Sequence, residues 1–140
     1  MAIVPFEGGY CLASFNEDIY MMAGNMTQGF ELWQYDGSSA FEFYDFAPDG
    51  EGLSGAGGFP TRFIEYNGYL FTGAYYEGNG HQLFLVDSNE NTIPVIDVNA
   101  DDNSADPDYT LPFAAFDNDF IFANMLGANI DYWRLSINGF

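Results

Sequence analysis

Oxygen-bearing side chains alternate along one stretch of this sequence in an order that could hold a metal. Asp97, Asn99, Asp101 and Asn103 take the first, third, fifth and seventh places, and Asp108 takes the twelfth. Hard oxygen donors at that spacing can wrap one Ca²⁺. Two departures stand out. Asp102 occupies the place where glycine normally makes the turn, and Asp108 is shorter than the usual bidentate glutamate. A solvated acidic loop, its Asp and Asn residues serving turns, is the competing reading. A similar stretch offers Asp45, Asp49, Gly50 and Glu51, but Ala47 removes its third-place ligand.

Three aromatic residues fall at equivalent places in the chain: Trp33, Phe84 and Trp133. They would pack between neighbouring structural units, or present faces on which a pyranose could stack. Tyr75, Tyr76, Asn79 and His81 would form the polar rim of such a sugar site. His81 is the only histidine and follows a Gly-Asn-Gly turn, which suits a structural residue better than a catalytic base. Cys11 stands alone in an apolar stretch, so no internal disulfide or cysteine zinc site is possible. No Ser-His-Asp order, histidine cluster or phosphate-cradling loop is present, and an enzyme is not expected.

The elements that would position these residues come from a repeat. Phe15-Asn16-Glu17-Asp18-Ile19-Tyr20, Tyr66-Asn67-Gly68-Tyr69-Leu70-Phe71 and Phe116-Asp117-Asn118-Asp119-Phe120-Ile121 are rough copies that begin 51 and then 50 residues apart. A period in that range marks a solenoid, propeller or array. Each copy reads as strand, two-residue turn, strand, loop, strand, with turns at Asn16-Glu17, Asn67-Gly68 and Asp117-Asn118. Fourth strands follow at 40–44 and 92–96. The fold expected is all-β: three four-stranded antiparallel propeller blades, at about 10–45, 61–97 and 111–140. The loops from Asp45 to Pro60 and from Asp97 to Pro112 are matched, each proline leading into the next blade's first strand.

The third copy ends without a fourth strand. The segment Ile3-Val4-Pro5-Phe6 resembles Ile93-Pro94-Val95-Ile96, and proline belongs on a sheet edge. Residues 2–6 are therefore expected to supply the missing strand. Three wedges do not close a ring, since propellers have about four to eight blades. Two chains exchanging this strand would make a six-bladed, two-fold dimer, with an open filament or a fragment of a larger propeller as alternatives.

Charge sets the surroundings. Asp and Glu number 21 against two basic residues, Arg62 and Arg134, for a formal net charge of −19. Such a surface repels phosphate backbones and anionic membranes. It suits saline or calcium-containing media, where counterions relieve self-repulsion. No apolar run reaches the roughly 20 residues that span a bilayer.

Glu31-Leu32-Trp33-Gln34-Tyr35-Asp36-Gly37-Ser38 resembles the ELW-x-x-DGT repeat of hyalin-like and other surface propellers. Asp45-Phe46-Ala47-Pro48-Asp49-Gly50 and Asn67-Gly68-Tyr69-Leu70-Phe71 are similar to further parts of that repeat. The resemblance covers most of the chain and weakens after the first copy. It implies an extracellular or surface-exposed propeller and no particular activity; the setting expected for this chain is outside a cell or on a cell or virion surface. The leading expectation is a non-enzymatic structural or interaction protein that assembles with itself. A lectin-like, carbohydrate-binding propeller is the alternative.

Overall fold

A computed structural model of the chain describes residues 8–25, 29–46, 62–76, 80–96, 109–117, 119–126 and 129–136. Among them there are eleven β-strands and no helix. The first sheet is a meander of β1 (Gly8–Phe15), β2 (Asp18–Asn25), β3 (Gly29–Tyr35) and β4 (Ala40–Tyr44). The second repeats that order with β5 (Phe63–Tyr66), β6 (Tyr69–Tyr76), β7 (Gly80–Val86) and β8 (Thr92–Ile96). The third contains β9 (Tyr109–Phe116), β10 (Asp119–Leu126) and β11 (Asn129–Ser136). Every pairing is antiparallel.

Turn chemistry sets the strand breaks. Asn16 and Glu17 have φ of 51° and 71°, Asn67 and Gly68 have 52° and 79°, and Asp117 has 54°. Two consecutive positive φ values make the primed hairpin turn whose twist matches that of the flanking strands. The β3–β4 connection uses a side chain instead. Asp36 Oδ1 accepts hydrogen bonds from Ser38 N, Ser38 Oγ and Ser39 N, each at 2.8 Å. These bonds, led by that from the Ser39 amide, favour the carboxylate and hold the Asp36 pKa down to about 2. Asp87 does the same between β7 and β8, accepting from Asn89 N at 2.8 Å and Asn91 N at 2.9 Å.

One expected boundary is corrected. Pro112 lies inside β9, opposite Phe122, rather than ahead of it. β9 is an edge of its sheet, where a missing N–H costs no ladder bond, and the register shifts beside the proline. Pro94 obeys the same rule in edge strand β8, opposite Phe84 and again beside a register shift.

The sheets stack face to face in chain order. Strand alternation puts Leu70, Ala74, Phe84 and Val86 on one face of the second sheet. There they join Phe15, Tyr20, Met22 and Leu32 of the first sheet in one core. Phe71, Leu83 and Leu85 point the other way and meet Phe120 and Phe122 of the third sheet. Covered on both sides, the second sheet is buried throughout 70–74 and 82–86. That double burial explains why β6 and β7 are nearly continuous apolar runs rather than alternating ones.

Candidate functional site

The residue types point to three possible roles: metal binding, sugar binding and assembly. The metal residues Asp97, Asn99, Asp101, Asn103 and Asp108 lie outside the described residues, as do the assembly residues Ile3, Val4, Pro5 and Phe6 and the rim residue Asn79. Among the described residues, no group of three or more His, Cys, Asp or Glu side chains is placed to hold a metal.

The aromatic positions separate by environment. Phe84 is buried between the first two sheets, its ring 4.6 Å from that of Phe46. Its contribution is packing, because a ring with no free face offers nothing to a pyranose. Trp33 is half-buried on the opposite side of the first sheet from that core. Trp133 pairs with Phe122 across β10 and β11 and stacks on it at 6.4 Å, while remaining 43% exposed. Tyr75 and Tyr76 end β6, with Tyr75 in register with His81 of β7.

What the structure brings together most clearly is a repeated sheet-to-sheet contact. Tyr20 and Leu32 face the second sheet from the first. Their counterparts one repeat later, Phe71 and Leu83, face the third sheet from the second. Phe71 and Phe120 stack at 4.2 Å with 23° between their planes. Leu70 of the second sheet and Phe120 of the third each look back at the preceding sheet. Each sheet thus has a forward face and a backward face, and matching regions of the repeat build each contact.

Polar bonds pin both junctions. Gln34 Nε2 donates to Asp18 Oδ2 in its own sheet at 2.5 Å and to Glu90 Oε1 of the next sheet at 3.2 Å. Tyr20, paired with Gln34 across β2 and β3, is fully buried. Burial, reinforced by Glu90 and then Asp18, pushes its pKa up to about 12, so the phenol is neutral. Between the second and third sheets, Tyr66 Oη donates to the Asp117 carbonyl at 2.8 Å.

A further anchor was not foreseen from the residue types. Glu31 is buried, and its Oε2 accepts a hydrogen bond from Phe46 N at 2.8 Å. This bond fixes the chain just beyond β4, so that the Phe46 ring enters the core and stands 4.7 Å from Tyr44. The only signal in the sequence was a carboxylate embedded in the apolar run of β3, at the head of the Glu31-Leu32-Trp33 motif. No protein-family model and no curated protein matches this chain.

Proposed function

We propose that this chain is a non-enzymatic structural or interaction protein that builds a β-propeller by associating with a second copy of itself. The observation that carries this reading is the serial stacking of three equivalent meanders. Its middle sheet is sealed on both faces, and its two outer sheets each have only one neighbour among the described residues. Propellers close a series built by one repeated sheet-to-sheet contact into a ring. The segment 2–6 would complete the third sheet of the partner copy as its fourth strand. The strong negative charge and the resemblance to hyalin-like repeats support a place outside the cell, or on a cell or virion surface. Calcium held by residues 97–108 would order the acidic connection.

The test is solution mass, measured by sedimentation for the full chain and for a form lacking residues 1–7. The full chain is expected at twice its 15.6 kDa formula mass. The truncated form should lose both the pairing and part of the thermal stability. Unchanged mass and melting temperature after truncation would remove strand exchange from the picture.

A further inference from the structure

Three repeat-equivalent positions show what a forward face does when the next sheet is present and when it is not. Phe15 is 4% exposed beneath the second sheet, and Tyr66 is half-buried against the third. Phe116, the same position in the third sheet, is 76% exposed. Leu32 and Leu83 are fully buried, whereas their counterpart Tyr132 is 62% exposed. The apolar residues of a docking face persist in the third sheet, and among the described residues no further sheet lies on them.

The first sheet shows the complementary state. Its backward face carries Ile19, Met21, Trp33 and Tyr35, the counterparts of Leu70, Thr72, Phe84 and Val86. The second-sheet set is buried to the last residue, whereas in the first sheet only Met21 is buried and Ile19, Trp33 and Tyr35 are half-buried. Leu12, in register with Met21 on this face, is 70% exposed. Among the described residues, the third sheet therefore keeps a forward face that is exposed at Phe116 and Tyr132 although Ala123 on it is buried, and the first sheet a backward face that is exposed at Leu12 although Met21 and Ala23 on it are buried. These two kinds of face already meet twice within the chain.

We propose that the forward face of the third sheet in one copy docks on the backward face of the first sheet in another. The proposal rests on the assembly reading above and assigns the surfaces that carry it. Continuity with the two internal contacts selects a second copy as the occupant, since the first sheet offers the same backward positions that the second and third sheets use. Charge agrees. Arg134 takes the place held by Gln34 in the first sheet, and Gln34 reaches Glu90 in the last turn of the following sheet. The corresponding turn of the first sheet, 36–39, carries Asp36. In a chain of formal charge −19, one of the two basic residues would thus meet an acidic turn of the partner.

The experiment uses the full chain and two variants, Phe116→Asp on the forward face and Leu12→Asp on the backward face. Both side chains are exposed within one copy, so folding should survive, as circular dichroism would verify. Ser88→Asp adds the same charge on an exposed turn and serves as the control. Native mass spectrometry is expected to show that each face variant pairs with itself at least about tenfold more weakly than the parent, since docking would bury an unpaired charge. The control should pair normally. A mixture of the two face variants should form a 1:1 pair more readily than either forms with itself, because one contact then joins two unaltered faces.

Equal self-pairing of parent and both variants would overturn the assignment of faces while leaving assembly standing. A mixture with no preference for the mixed pair would overturn the forward-to-backward arrangement. A monomeric parent whose melting temperature falls on Phe116→Asp would mean that the face is covered within one chain, and would remove assembly as well.

Discussion

At the scale of single residues, the repeat exposes where each copy departs from the best local solution. The turn between β5 and β6 uses Asn67-Gly68, and Gly68 at φ 79° carries no Cβ to resist that conformation. The equivalent turn between β1 and β2 places Glu17 at φ 71°. A side chain with a Cβ resists the left-handed region at a cost of roughly 1–2 kcal/mol. Glu17→Gly should therefore stabilise the chain by about 1 kcal/mol, less a few tenths for the freer unfolded state. Gly68→Ala should destabilise it by a similar amount. Chemical denaturation of the two variants checks both signs. A loss of stability in Glu17→Gly would show that the Glu17 side chain contributes more than its backbone strain costs.

At the scale of elements, legibility followed the range of the interaction. The hairpin turns at Asn16-Glu17 and Asn67-Gly68 and the fourth strands at 40–44 and 92–96 could be read directly, because turn residues and strand patterns act over a few positions. Pro112 misled the boundary of β9, since only sheet order reveals that the strand is an edge. The Gln34 bond to Glu90 spans 56 positions and the Glu31 bond to Phe46 spans 15, so neither has a local signature. Of these bonds, the one at Glu31 can be tested most sharply. Glu31→Ala removes the acceptor from a buried backbone N–H and loosens the segment that carries Phe46, and should cost about 2–4 kcal/mol. Glu31→Gln keeps a carbonyl acceptor and should recover more than half of that loss. Thermal melts of the two variants, compared with Phe46→Ala, would test the link. If alanine and glutamine were equally destabilising, charge rather than acceptor geometry would be what matters at Glu31.

At the scale of the whole molecule, self-repulsion dominates, with a net charge of −19 on 140 residues. Added salt of any kind should raise the melting temperature by screening that repulsion, most steeply at low ionic strength, where the Debye length is long. A calcium site at 97–108 predicts something more selective. A ligand that binds only the folded chain stabilises it by RT ln(1 + [L]/Kd), about 2.7 kcal/mol at a hundredfold excess over Kd. For a site of about 10⁻⁴ M affinity, that excess is reached near 10 mM calcium. In a domain of this size it corresponds to a rise of roughly 5–10 °C. Sodium chloride at matched ionic strength should give only the screening part, and magnesium should give little more, because it resists losing its water shell. Asp101→Asn combined with Asp97→Asn should abolish the calcium increment and keep the sodium response, since two of the charged oxygens would be gone while the turn-forming residue type remains. Coincident calcium and sodium curves at equal ionic strength would reduce the alternating acids to a solvated loop. The proposed ring would then rest on its sheet faces and the proposed strand exchange alone.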